Sequence, residues 1–368
     1  MDNIHYNHAT ISTTPLHRIG AGFCGSVWSD VHAIAHSVAI KREDGGRGRS
    51  LKNDSDVHQQ LLAAYKPKNF LGFTIPKWHG YIAQDEANEI VHRFPRGYSA
   101  CNLLLTERIH PVPETIRHHL VKRFFPRKLA HDINADPNNH DCLIRPYLGK
   151  RRRLYSKSVL SSYSLRNFPL HLDQIEELGL DAFVYSHCMA QALAFMHWSA
   201  KIDANDVEFV LAPANDPELA VPSKALGDHC MWILDFDCCR SMTMDSQGLK
   251  QAARAFLRND PFYPRPGKEK MEDIRLWDWF KSSYLRASSQ IIGKHDARRL
   301  SLPSQLMELI EQMTLNKEHP GWILNPKTVN GENTESQGTF ESGMMGSGHE
   351  LEDDLLNEEL YLELYLLE

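Results

Sequence analysis

Three glycines, Gly20, Gly22 and Gly25, with Lys41 sixteen positions beyond the last of them, are residues whose types and spacing suit a chemical task. The string Gly20-Ala21-Gly22-Phe23-Cys24-Gly25-Ser26-Val27 matches G-x-G-x-x-G-x-V. Glycines let backbone N–H groups approach phosphate oxygens, and an ammonium aimed under such a turn neutralises their charge. Val38-Ala39-Ile40-Lys41 follows at the distance a hairpin needs to aim its lysine there. Far downstream, Asp203 stands five positions before Glu208, which opens the apolar run Phe209-Val210-Leu211. Phosphoryl transfer to a hydroxyl wants a carboxylate that orients the acceptor and takes its proton, with a metal-coordinating side chain a short strand away. Asp203 suits the first role and Glu208 the second. Asp235 closes the next apolar run, Trp232-Ile233-Leu234, where a divalent metal bridging phosphates needs an oxygen ligand. Each acid alone reads as a loop residue or a helix cap. Their order with the glycine turn and the lysine is what that reading leaves unexplained.

The elements that must position these residues are legible in part. Residues 16–28 and 38–41 read as two short strands around the glycine turn, and 51–65 as a helix with Val57, Leu61, Leu62 and Tyr65 on one face. Segments 78–83 and 89–94 read as further strands. Residues 95–140 mix Pro, His and basic side chains without sustained periodicity and read as an insertion. Strand character returns at 142–148. From 171 the signals are helical: 171–178 ends at Gly179, Asp181 suits an N-cap, and 182–198 is apolar nearly all round, as a buried helix is. Helices are expected at 247–257, 272–286 and 303–314, after strands near 209–211 and 231–234.

Composition sets the class. The chain has 368 residues, 42% hydrophobic and 24% charged, which suits a folded globular protein with a substantial core. The net charge of −6 resides in residues 331–368, which carry eleven acidic and no Lys or Arg side chains; the remainder has 41 basic against 36 acidic groups. Residues 328–349 are expected to be disordered, and the tail from Glu350 interleaves Leu and Tyr with carboxylates as an amphipathic acidic helix for a protein partner does. The basic residues between Arg117 and Arg166, Lys150–Arg153 among them, accompany no nucleic-acid-binding motif, and nucleic acid is not expected as a partner. Seven scattered cysteines show no zinc-ligand spacing and read as reduced thiols. The opening MDNIHYNHAT lacks a basic stretch before an apolar run, and no eighteen-residue apolar stretch occurs. The expected address is cytoplasmic or nuclear, without a membrane.

With the glycine turn, Lys41, Asp203 and Asp235 in this order, the chain resembles the protein-kinase-like superfamily over about residues 16–300. That superfamily includes eukaryotic protein kinases and aminoglycoside-phosphotransferase-like small-molecule kinases. The resemblance implies a two-lobed α+β fold, with a small antiparallel-sheet lobe at 1–145 carrying the insertion, a helical lobe at 146–325, and linker and tail at 326–368. It implies ATP and Mg²⁺ as cofactors. Gly20, Gly22 and Gly25 would cover the phosphates and Lys41 contact them. Residues 142–149, Tyr147 among them, would flank adenine, Asp203 would be the catalytic base, and Asp235 with Glu208 would hold metal. The strings IRPYLGKRRR (144–153), SLRNFPLHLDQIEELGLD (164–181), MHWSAKIDANDVEFVL (196–211) and FLRNDPFYPRP (256–266) more closely resemble a fungal family of unassigned activity, many of whose members are labelled zinc finger protein.

Departures from active kinases bear on function. The H-R-D triplet reads Lys201-Ile202-Asp203, Glu208 stands in place of a metal-binding Asn, and D-F-G reads Asp235-Phe236-Asp237. Helix 51–65 offers Lys41 only Asp54 or Asp56, shorter than the usual glutamate. The expectation is a kinase-like nucleotide-binding protein, a phosphotransferase on a small-molecule or protein hydroxyl. The alternative is a catalytically inactive pseudokinase used as an interaction module.

Overall fold

Val38, Ile40 and Arg42 are buried while Ala39 and Lys41 between them are half-buried, the period-two alternation of a strand with two distinct faces. This strand, β3 (Val38–Arg42), belongs to a five-stranded sheet with β1 (Leu16–Ala21), β2 (Ser26–Asp30), β4 (Trp78–Ile82) and β5 (Leu103–Glu107), in the order β1-β2-β3-β5-β4. All four pairings are antiparallel. The computed structural model describes residues 13–30, 38–46, 48–65, 72–152, 163–293 and 297–318. These belong to one compact unit, Met1–Gly321. The acidic tail read from the sequence lies outside the described residues.

Two expectations in this half are corrected. The stretch 95–140 is not simply an insertion, because β5 lies inside it and pairs with both β3 and β4. Leu103, Leu104 and Leu105 are all buried, so a central strand covered on both faces shows no alternation to betray it. Residues 89–94 form no strand; single helical turns occupy Glu86–Glu89 and Val91–Arg93. Buried Ala87, Ile90 and Phe94 recur at helical spacing, and they cover one face of the sheet with Trp28, Ile40 and Leu105. Arg42, 2% exposed, lies over the Phe94 ring with its guanidinium carbon 4.4 Å from the centroid.

Helix α1 (Leu51–Ala64) starts where Ser50 Oγ accepts from the Asn53 N–H. It buries Val57 and Leu61, which join Phe73 and Ile75 in the larger core. Short helices α2 (Glu114–Phe124) and α3 (Ala130–Ala135) follow β5. A second sheet then has the order β7-β6-β8-β9, from β6 (Ile144–Tyr147), β7 (Phe168–His171), β8 (Glu208–Pro213) and β9 (His229–Leu234). The chain between α1 and β4 hydrogen-bonds to β9, with Thr74 donating to Met231 O and accepting from Ile233 N.

Helices α4 (Leu172–Glu177), α5 (Ala182–Ala194), α6 (Ser246–Arg258), α7 (Met271–Ile292) and α8 (Leu302–Glu318) follow, with a single helical turn Ala297–Leu300 before the last. Asp181 caps α5, accepting from Phe183 and Val184 N–H, and Gly179 has φ +66°, as a residue ending a helix in the left-handed region does. Helix α5 is not buried all round: Phe183 and Val184 in its first turn are 42% and 36% exposed. Beyond that turn Met189, Ala190, Leu193 and Ala194 are inaccessible. A wide turn, Phe195–Ser199, carries α5 to the 201–206 loop. The architecture is α+β, an antiparallel sheet with helices, compatible with two lobes. Among the described residues no helix is long and apolar enough to cross a membrane.

Candidate functional site

The glycine turn joins β1 to β2 and closes on itself, Gly22 and Gly25 each donating to the other's carbonyl. At Gly25, φ is +149° and a Cβ would stand 2.0 Å from Arg42 O, so only glycine fits. At Gly22 a Cβ would meet nothing within 4 Å; the turn is open on that side. Gly45 and Gly46 donate back to Cys24 O and Phe23 O, fixing the turn to the loop after β3.

Beneath the turn lies a cleft that opens to solvent. Ile19, Val27, Ala39 and Leu234 give it apolar walls, and Gly20, Gly22, Gly25, Lys41, Asp54, Arg145, Glu208 and Asp235 line its polar part. Large apolar concavities with a few convergent polar groups are where small molecules bind. Asp203 and Tyr147 are not among the lining residues, whereas Thr106, Glu107, Ile109 and Leu143 are.

Lys41 is the hub. Its Nζ donates to Asp54 Oδ2 at 2.7 Å and to Asp235 Oδ1 at 2.6 Å. Burial disfavours the ammonium, but the carboxylates of Asp235 and Asp54 outweigh that and hold its pKa well above the ordinary lysine range. For Asp235, burial raises the pKa and Lys41 more than offsets it, leaving the carboxyl below its usual value. Asp54 on α1, shorter than the usual glutamate, does reach Lys41. Helix α1 comes close enough because its first turn is bolted to the 235–239 segment: Asn53 Nδ2 donates to the carbonyls of Phe236, Asp237 and Cys239, and Phe236 N donates to Asp54 Oδ1.

Backbone strain gathers at the same place. Among the described residues, five non-glycines have positive φ, and four of them are Lys201, Ala204, Asp206 and Asp235. Each such residue costs about 1–3 kcal/mol and persists only when its surroundings hold it. At Asp235, φ +63°, its contact to Lys41 and the hydrogen bonds of Asp54 and Asn53 to the residues that follow it supply that hold.

Asp203 is buried and pinned. Its Oδ1 accepts from Asn205 N and Arg240 N, and its Oδ2 from Gln251 Nε2 at 2.8 Å. Asp203 N in turn donates to Arg240 O, so the segment after Asp235 lies along the Asp203 loop.

Two sequence assignments change. Glu208 does not offer open carboxylate oxygens, because both lie 2.6 Å from Arg145 Nη2. Burial is the main cause that pushes Glu208 up to about 7, with Asp235 and Asp260 adding to it and Arg145 opposing it. Tyr147 turns from the cleft: its hydroxyl donates to Asp260 Oδ2 at 2.7 Å, and its ring packs edge-on against Phe262 and His171. Strand periodicity explains the swap, since Leu143 and Arg145 line the cleft two positions apart and the sequence expectation chose the aromatic of the stretch instead.

Sequence reasoning missed Arg49 and Asn53, and placed Arg145 only within the basic stretch and the 142–149 strand, without its partner Glu208. Arg49 Nη1 donates to Asp206 Oδ2 at 2.6 Å, Asp237 Oδ1 at 2.9 Å and Cys238 Sγ at 2.6 Å. Asp206, Asp237 and Cys238 are close enough to share a cation, with donor atoms within 4.8 Å of one another, and the Arg49 guanidinium supplies one. All seven cysteines are unpaired, and Cys238 and Cys239 are not bridged. The basic run near 150 is largely neutralised: Arg151 pairs with Glu176 and Asp273, and Arg152 with Asp173 and Glu177.

No curated protein matches the chain. The model of a family with a domain of unknown function, described as zinc finger protein, matches residues 231–296, from within β9 through the end of α7 and including Asp235 and the Asp237-Cys238-Cys239 run.

Proposed function

We propose that the chain is a kinase-like nucleotide-binding protein, its cleft taking a nucleoside polyphosphate between the glycine turn and Lys41. The observation that carries this reading is the pair of short contacts from Lys41 to Asp54 and Asp235. They join β3, the start of α1 and, from 194 positions away, the end of β9 beneath an open glycine turn. A lysine so held presents a fixed positive charge where phosphates would lie, and Gly22 leaves room for their approach. The apolar walls suit a planar base. In this reading the base-side place given to 142–149 passes to Thr106–Ile109 at the end of β5, together with Leu143.

ATP and Mg²⁺ are the cofactors this reading asks for, and the residues fit them unequally. Asp235, 28% exposed, lines the cleft and fits a divalent cation. Glu208, engaged on both oxygens, does not. A cation at Asp235 would neutralise phosphate charge. Asp203 is the residue for orienting an acceptor hydroxyl and taking its proton, and its carboxylate is already held in one orientation by three donors.

A second reading, a catalytically inactive pseudokinase, is favoured by the same three donors, which occupy most of the capacity of Asp203 to accept from a substrate. Asp237 also adds a buried anion next to the cleft. Binding and turnover separate the readings. A thermal-shift titration with ATP and Mg²⁺ is expected to raise the melting temperature, since a ligand that binds only the folded state stabilises it. ATP hydrolysis or phosphotransfer that disappears in Asp203→Ala supports the enzyme; binding with turnover unchanged by that substitution supports the pseudokinase. No shift at millimolar nucleotide removes both.

A further inference from the structure

The cleft holds an unbalanced set of charges. Lys41 and Arg145 face Asp54, Glu107, Asp141, Glu208 and Asp235. Lys41 is committed to Asp54 and Asp235. Arg108 pairs with Asp141 from outside the lining. Glu208 is left to Arg145, whose Nη2 meets both of its oxygens. A guanidinium keeps its charge at any pH the fold tolerates, whereas a bound Mg²⁺ can leave.

The site of Arg145 is built for this. Its side chain is 14% exposed, its Nη1 stands 3.9 Å from Asp260 Oδ2, and its Nε is buried with no hydrogen-bond partner. An orphaned N–H of a buried cation is costly. A metal ion entering at Glu208 would have to displace the guanidinium, whose other carboxylate neighbour, Asp260, stands 3.9 Å away and already accepts from the Tyr147 hydroxyl.

Resting on the nucleotide reading, we propose that Arg145 permanently occupies the cation position at Glu208, so that the cleft takes a nucleoside triphosphate with one divalent cation, at Asp235, in place of two. The fixed cation is part of the chain, and Glu208 serves to hold it rather than to ligate metal.

The test counts metal. Protein saturated with ATP is dialysed against Mn²⁺ at pH 8, and bound Mn²⁺ per bound ATP is measured by electron paramagnetic resonance. The wild-type chain is expected to hold one Mn²⁺ per ATP and Arg145→Met to hold two, because Glu208 is released. Should Arg145→Met fail to fold, Glu208→Gln serves: one Mn²⁺ before and after the substitution supports the proposal, and a fall from two to one overturns it. Two Mn²⁺ in the wild-type complex, or one in a folded Arg145→Met, also overturns it while leaving the nucleotide reading intact. A wild-type chain that binds no ATP with Mn²⁺ present overturns both.

Discussion

Lys41 Nζ and Asp235 Oδ1 lie 2.6 Å apart although 194 positions separate them in sequence, and Asp54 closes the same ammonium from α1. That contact ties the first sheet to the end of β9, and the buried, strained and charged groups of the cleft are arranged around it. Each of its members can be tested by what its loss does to the others.

Asp54 should be worth far more than its neighbour. Its side chain is 4% exposed and serves both Lys41 and the Phe236 N–H, whereas Asp56 pairs with Lys52 in solvent. Breaking a buried ion pair by removing one partner costs about 3–5 kcal/mol, and an exposed pair at helical spacing under about 1 kcal/mol. Denaturant unfolding of Asp54→Asn and Asp56→Asn should show that contrast. Equal losses would mean that Lys41 is not held as described.

Tyr147→Phe removes a hydroxyl that donates to Asp260 and does not line the cleft. The expected stability loss is about 1.5–3 kcal/mol, the net worth of a hydrogen bond to a charged group. Nucleotide affinity should be unchanged in calorimetry. A tenfold loss of affinity would return Tyr147 to the base-binding role.

The pH dependence of stability should carry the mark of Glu208, whose carboxyl is raised from 4.5 to about 7. Between those values the folded chain keeps a proton that the unfolded chain has released. The stabilisation from neutral Glu208 is therefore complete below about 4.5 and is lost as pH rises through about 7. Across pH 5 to 8, the wild-type denaturation midpoint should fall relative to that of Glu208→Gln. Parallel curves would contradict the burial argued for this carboxyl.

Arg49 is expected to be a structural cation. Asp237 is 1% exposed, and Arg49 is the basic partner of its carboxylate at 2.9 Å. Arg49→Ala should destabilise by about 3 kcal/mol, and Asp237→Asn in that background should recover part of it, because an uncompensated buried charge is what costs. A double-mutant cycle reads the coupling directly; additive losses would show that the two side chains act independently.

How much of this was legible follows from what each signal measures. The glycine turn, Lys41 and Asp235 were found because their chemistry is written in type and spacing. The strands around them were found because one face is buried and the other is not. β5 escaped, since a strand buried on both faces has lost its alternation, and the turns near Ile90 were mistaken because a short apolar run does not declare its period. Arg145 as the partner of Glu208, Arg49 and Asn53 escaped for another reason. Each acts on a residue more than 60 positions away, and nothing local marks a side chain whose partner arrives only with the fold.

The central claim is that phosphates lie between the glycine turn and Lys41, and Gly22→Asp tests it at a position where an added Cβ would meet nothing within 4 Å. Isothermal titration calorimetry with ATP and Mg²⁺ should give binding by the wild-type chain and at least a tenfold weaker affinity for Gly22→Asp at an unchanged melting temperature, since the new carboxylate repels the phosphates. Equal affinity in the two proteins, or no binding by either, would contradict the account.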